Sequence, residues 1–314
     1  DYLKEAIESV LQQTYKNFEV VVSDDASPQT PESMLQTFQD DRIRLRCNAT
    51  NLGVGWNTTY AFKATQGKYV AYLNDDDRWH PDFLETLVSP LEADENLAAA
   101  FCDYYVIDEH SVVNPHATEQ QSRKESRHKL EEGIYRPFWR EGLVYQAMFS
   151  ASAAVIRREV IQWQEISNAG VFWDLYLTYL ACRSGLGAYY SPKRLAYYRI
   201  HHQSENMMSG NRSALAKIRK GEAGSFCFKK FMEDPNLHRH KPYFRNEWAH
   251  FKATLGIGLL RNQQYVDSRM HLIQALQINF LNPRALVALG LSCLPTVLRN
   301  PLITIKNPGF NRLR

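Results

Sequence analysis

Asp75, Asp76 and Asp77 stand side by side in the run Tyr72-Leu73-Asn74-Asp75-Asp76-Asp77-Arg78-Trp79-His80-Pro81. Adjacent carboxylates repel one another and cost stability unless a cation neutralises them. Hard oxygen donors suit Mg²⁺ or Mn²⁺. An ion held by one or two carboxylates keeps positions open for phosphate oxygens, where it can stabilise a departing diphosphate. The plainer reading is a solvated acidic turn ahead of a helix at Pro81. A second pair, Asp24 and Asp25, lies within Ser23-Asp24-Asp25-Ala26-Ser27. A carboxylate there can accept from the N–H of a nucleotide base, or can form a turn and cap. The third group is Tyr197-Tyr198-Arg199-Ile200-His201-His202. A His beyond a strand end can bind a metal or phosphate, and Arg suits phosphate; a surface loop is the alternative.

The surrounding pattern predicts what positions these groups. Leu3, Ala6, Ile7, Val10 and Leu11 mark one face of a helix. Phe18 to Val22 and Tyr69 to Leu73 read as buried strands, and Ile43, Leu45 and Cys47 alternate with arginines as a strand does. Helices are expected from Pro31, over 55–65 and from Pro81, followed by a strand over 97–106. The stretch 108–132 lacks periodicity and reads as a loop. A strand over 153–156, helices over 159–166 and 173–182, and a strand over 194–200 follow. Strands alternating with helices predict an α/β fold with a mainly parallel sheet flanked by helices. Ligands on such sheets sit beyond the carboxyl ends of strands, and both acidic clusters follow strands. Beyond about Asn206 the spacing is helical over 212–232, 243–262, 265–279 and 284–299.

Charge divides the chain in the same place. Residues 206–314 carry 17 Lys and Arg against 5 Asp and Glu, a net +12, whereas residues 1–205 sum to −9. Two functional parts are expected, an acidic α/β domain over 1–205 and a basic α-helical region over 206–314. Lys217, Arg219, Lys220, Lys229 and Lys230 form the densest basic cluster. That charge fits attraction to an anionic membrane surface; no motif for nucleic acid accompanies it. The five cysteines are scattered without a C-x-x-C pair, which argues against a disulfide framework or zinc site and for reduced thiols in the cytoplasm. No apolar run reaches the roughly 20 residues of a membrane span.

The motifs, in order, resemble family 2 glycosyltransferases of the GT-A fold. The resemblance covers roughly 1–205 and rests on "YLKEAIESVLQQTYKNFEVVVSDDAS", "NLGVGWNTTYAFKATQGKYVAYLNDDDRWHPDFLE", "FSASAAVIRREVI" and "YYRIHHQSEN". It implies a nucleotide-sugar donor (a UDP-sugar favoured), a glycan or lipid-linked acceptor, and inversion at the anomeric carbon. By the same resemblance, Asp24, Asp25, Asn51, Asp75 and Asp76 contact the donor. Asp76, Asp77 and His201 hold Mn²⁺ or Mg²⁺. A place in polysaccharide biosynthesis, in the cytoplasm or on the inner face of the membrane, follows. The family begins with a strand ahead of the first helix, so the natural protein is expected to begin earlier than Asp1. The family's base is often the Asp of a Glu-Asp pair before a Leu-aromatic-Leu helix. Matching that pattern to Leu175-Tyr176-Leu177 puts Phe172 at the expected position and Asp174 two residues on, about 200° around a helix. Asp174 is the expected base. Two other readings remain: nucleotidyl transfer, for which no Gly-rich phosphate loop is found, and an inactive homologue that binds through its tail.

Overall fold

The computed structural model describes residues 2–148, 151–201 and 213–294. It divides into two compact units, Asp1–Ser204 and Glu205–Arg314.

The first unit opens with α1 (Tyr2–Leu11), which buries Ala6, Ile7 and Val10 as its spacing requires. Strands β1 (Val20–Asp24) and β2 (Ile43–Cys47) flank the short α2 (Glu32–Gln36) and pair in parallel, Val20 opposite Ile43. Next come α3 (Val54–Ala64), β3 (Tyr69–Ala71), β4 (Arg78–Trp79), α4 (Phe83–Ala93) and β5 (Leu97–Ile107). Then follow α5 (Pro115–Lys124), β6 (Gly133–Tyr135), β7 (Ala154–Arg157), α6 (Trp163–Ile166), α7 (Trp173–Arg183) and β8 (Gly187–Arg199).

The α/β class with flanking helices is as expected, but the pairing is more mixed than a mainly parallel sheet. The larger sheet has the order β3-β7-β5-β8-β4, with β6 also on β8. Only β5 and β8 pair in parallel there, while β7 runs antiparallel between β3 and β5. The strands β3, β5 and β8 nevertheless run in one direction, so their carboxyl ends share an edge. In β5 every residue but Tyr105 is buried, the continuous apolar run of a central strand. Against it α4 buries Phe83, Leu87 and Leu91, and Trp79 stacks on Phe83 at 4.3 Å. Strand β8 is thirteen residues long because its outer flank serves β6 near Tyr190 and β4 near Tyr197.

The expected loop over 108–132 is a correction. It contains α5, whose start is signalled by Asn114 accepting from the Ala117 N–H at 3.0 Å and by Pro115 at the first helical position. Its inward residues are Thr118 and Ser122. A polar inner face leaves no apolar period to read. Thr118 Oγ1 accepts from the Val106 N–H at 2.9 Å, so this residue of the face is joined to β5 by a hydrogen bond.

The second unit has helices α8 (Ala214–Glu233), α9 (Lys241–Arg261), α10 (Tyr265–Ile278) and α11 (Pro283–Cys293). Gly221 lets α8 and α9 touch at the backbone: a Cβ there would lie 2.5 Å from Leu255 Cα. Phe228 stacks on Phe251 at 5.2 Å, and Ala253, Leu260, Leu272 and Ala285 fill the space between α9, α10 and α11. Asn282 caps α11 by accepting from the Ala285 N–H at 3.1 Å. Residues 295–299 of the expected last helix lie outside the described residues.

Candidate active site

Strand register places the acidic run. Arg78 stands opposite Tyr197 in the antiparallel β4–β8 pair. Residues just before Arg78 therefore face residues just after Tyr197, which brings Asp76 and Asp77 beside Arg199 and His201. The Arg199 backbone N–H donates to Asp77 Oδ1 at 2.9 Å. Asn74 Nδ2 and the Ser152 hydroxyl donate to Asp77 Oδ2 at 2.8 and 2.7 Å. Asp77 is fully buried. Burial, and then the neighbouring Asp76 charge, push its carboxyl above the ordinary range. Both oxygens are occupied internally, so Asp77 has the environment of a scaffold group rather than of the metal ligand expected from the run.

Arg199 also differs from expectation. Its guanidinium is fully buried and donates to the Asp76 carbonyl (2.7 Å), the Asp108 carbonyl (3.1 Å), the Ser111 hydroxyl (2.8 Å) and the Glu5 carboxylate (2.9 Å). It ties α1, the acidic run and the end of β5 together and is not presented to a phosphate.

Asp76 and Asp75 remain outward. His201 Nε2 lies 3.1 Å from Asp76 Oδ2, so the strand-end histidine reaches the acidic run. Asp75 is exposed, yet desolvation by its surroundings and the Asp76 charge raise its pKa. A cation beside Asp75 and Asp76 would relieve that repulsion. Asp76 and His201 fit a divalent ion as one carboxylate oxygen donor and one imidazole. Among the described residues no group of three His, Cys, Asp or Glu side chains is assembled for an ion. The donor's phosphate oxygens would have to complete the shell, as is usual for Mg²⁺. His202 lies outside the described residues.

The second acidic pair organises a loop. Asp25 accepts from the Leu52 N–H (2.9 Å), the Gly53 N–H (2.8 Å) and Asn48 Nδ2 (2.7 Å). Gly53, with φ +82°, needs the left-handed freedom of glycine there. Asn51 Oδ1 also receives the Gly53 N–H at 3.2 Å. Asp24 is buried and accepts from the Ser27 N–H at 3.3 Å. Arg46 bridges the Ser23 hydroxyl and Asn48 Oδ1, both at 2.6 Å, which pins the carboxyl ends of β1 and β2. The loop leads into α3, whose Phe62 packs on Tyr72 and Trp173 with centroids 6.0 and 6.2 Å apart. Helix α3 thus connects the Asp24-Asp25 pair to the segment that leads into Asp75–Asp77.

Asp174 stands in the first turn of α7, next to Trp173, whose ring lies 4.3 Å from Tyr72. Tyr72 lies three residues before Asp75, and its buried hydroxyl feels the charges of both Asp75 and Asp174. Asp174 Oδ1 accepts from the Leu175 N–H at 2.8 Å. Burial pushes its carboxyl up to about 7, within the range of a general base near neutral pH.

Residues 1–163 match the sequence pattern of glycosyl transferase family 2. The chain belongs to that family. Among its relatives is WfgD of Escherichia coli, a UDP-Glc:alpha-D-GlcNAc-diphosphoundecaprenol beta-1,3-glucosyltransferase. It is 32% identical over 116 residues, covering 37% of this chain and 46% of that one. The chain thus spans under half of that relative's length. The putative teichuronic acid biosynthesis glycosyltransferase TuaG of Bacillus subtilis is 25% identical over 224 residues, 69% of this chain and 80% of that one. Two solved structures share the fold. S. aureus TarS 1-349, in complex with UDP-GlcNAc, aligns with TM-score 0.62 at 13% identity, over 93% of this chain and 86% of that one. The mannosyltransferase PcManGT of Pyrobaculum calidifontis, with GDP-Man and Mn²⁺, gives 0.54 at 19%, over 92% and 75%.

Three site features of this family 2 chain escaped the sequence. Ser152 holds Asp77, yet nothing marks it among neighbouring small residues. The inward turn of Arg199 has no local signal. The contact of Tyr72 with Trp173 joins residues a hundred positions apart.

Proposed function

We propose that this chain moves a sugar from a nucleotide-sugar, a UDP-sugar by preference, onto a glycan or lipid-linked acceptor with inversion. The carrying observation is the 3.1 Å approach of His201 to Asp76 at the shared strand edge. An imidazole and an outward carboxylate held together at that edge support a diphosphate site there. The named donors of TarS and WfgD support a UDP-sugar. In the reaction the acceptor oxygen attacks the anomeric carbon, the bond to the diphosphate breaks, and the hydroxyl proton passes to the Asp174 carboxylate. Mn²⁺ or Mg²⁺ at Asp76 and His201 would supply Lewis-acid stabilisation of the leaving diphosphate. Asp75 and Asn51 are assigned to the donor's ribose and base side, with Asp24 and Asp25 shaping that pocket. Asp77 is assigned to the scaffold.

A lipid-linked acceptor agrees with the basic helical unit and with work at the cytoplasmic face of a membrane. Among the described residues no helix is long and apolar enough to cross one. Phe172, where the family often carries its base, favours the second reading of a binding protein without turnover. Donor hydrolysis with Mn²⁺ tests the assignment. Release of free sugar that Asp76→Ala abolishes, with the fold intact by circular dichroism, supports transfer; hydrolysis unchanged in Asp76→Ala refutes it.

A further inference from the structure

Helix α10 is apolar on two opposite faces. Its inner face seats Leu272 and Ala275 in the core of the helical unit, and the Ser268 hydroxyl donates to the Gly256 carbonyl of α9 at 2.7 Å. Its outer face carries Val266, Met270 and Ile273 at i, i+4 and i+7, all three exposed. Phe280 and Leu281, exposed as well, follow about two turns beyond Ile273, in the turn before α11. Val266, Phe280 and Leu281 are 80%, 74% and 68% exposed. A helix apolar on both sides is ordinarily covered on both, and an exposed apolar row of this extent marks a contact surface. Cations border the row. Arg269, on α10 itself, donates to the Ser292 carbonyl at 2.7 Å, and Arg245 Nε donates to the Ile278 carbonyl at 2.9 Å, beside the turn. Carbonyls are neutral, so these bonds leave both arginine charges in place. Asp267 is the only acidic residue of α10.

We propose that the outer face of α10, with the turn at Phe280-Leu281, lies on an anionic bilayer. The apolar row enters the boundary between headgroups and acyl chains, and Arg245 and Arg269 meet lipid phosphates at its rim, as in an interfacial helix. Charge selects this occupant over a second copy of the chain. Residues 206–314 carry a net +12, so two such units brought face to face repel one another. An anionic surface attracts each Lys or Arg that comes near it. The inference rests on the membrane-side reading of the proposed function and gives it a surface; its readout is binding, so failure to bind and failure to transfer sugar are seen separately.

The test is flotation of the full chain with vesicles of phosphatidylcholine alone and of phosphatidylcholine mixed in equal parts with phosphatidylglycerol. Binding is expected with the mixed vesicles only, and should weaken as salt rises. Phe280→Ser/Leu281→Ser should weaken it by about a hundredfold and Val266→Ser by about tenfold, because each large apolar side chain withdrawn from water contributes on the order of tenfold. Val287→Ser is the control. Val287 is 64% exposed but lines a recess with Ile257 and Leu260 of α9, and its loss should leave binding within about twofold. Equal losses in Val287→Ser and Phe280→Ser/Leu281→Ser would mean unspecific apolar adsorption and would overturn the proposal. Equal binding to both vesicles would show that charge plays no part and would overturn it too. No vesicle binding also overturns it, and sedimentation velocity then tells a second copy, as a dimer that Phe280→Ser/Leu281→Ser dissociates, from cover by residues 295–314 of this chain. Circular dichroism checks that each variant folds.

Discussion

Asp174→Asn separates chemistry from folding at the proposed base. Burial moves the Asp174 carboxyl from 3.8 to about 7. About three pH units at ~1.36 kcal/mol each amount to ~4 kcal/mol. The residue is only partly buried, and solvent screening trims this to roughly 2 kcal/mol. Because the folded pKa lies above the unfolded one, the folded state binds the proton more tightly. The stability this group contributes is complete below about pH 4 and is lost as pH rises through about 7. Asparagine keeps the oxygen that accepts from the Leu175 N–H and carries no charge. The variant should therefore gain stability over the parent as pH rises, with the gap widening by roughly 2 kcal/mol between about pH 4 and pH 7. Loss of a general base should lower kcat by about 10²–10⁴-fold, and the parent's kcat/KM should climb to a plateau above about pH 7. Urea unfolding at several pH values and a coupled assay of nucleotide release read both effects. Parent-like turnover in the variant would place the base elsewhere. A stability gap that does not change with pH would refute the raised pKa itself.

Other substitutions probe the frame around the site. Arg199→Met removes a buried guanidinium with four acceptors, which should cost about 3–5 kcal/mol in urea unfolding because Glu5 and two carbonyls lose their donor; a loss under about 1 kcal/mol would show that this tie is not structural. Gly221→Ala would press a methyl group to within 2.5 Å of the Leu255 backbone, and should destabilise the helical unit by about 1–3 kcal/mol in thermal melts. An unchanged melting temperature would mean that α8 and α9 can part without cost.

The elements were legible where one face is apolar and the partner is local. The spacing of Leu3, Ala6, Ile7 and Val10 marks α1, and Phe83, Leu84, Leu87, Val88 and Leu91 mark α4, all but Leu3 among the buried residues. Helix α5 was not legible by period because its inner face is the polar pair Thr118 and Ser122, with Thr118 held to β5 by a hydrogen bond. Its Asn114-Pro115 cap was the available signal. The two-residue β4 is too short to carry any period, although its pairing with β8 sets the geometry of the acidic run.

The acidic run following a strand, its pairing with an earlier acidic turn and the motif order were properties of the sequence alone, because they depend on residue type and spacing. Which carboxylate turns inward was decided by tertiary structure. Three adjacent aspartates are chemically equivalent on paper. The register Arg78 opposite Tyr197, the hydroxyl of Ser152 and the Arg199 backbone single out Asp77 for burial and leave Asp75 and Asp76 outward. The elevated pKa of Asp174 has the same origin, since desolvation is set by whatever packs around a group, and no local pattern of residues encodes it.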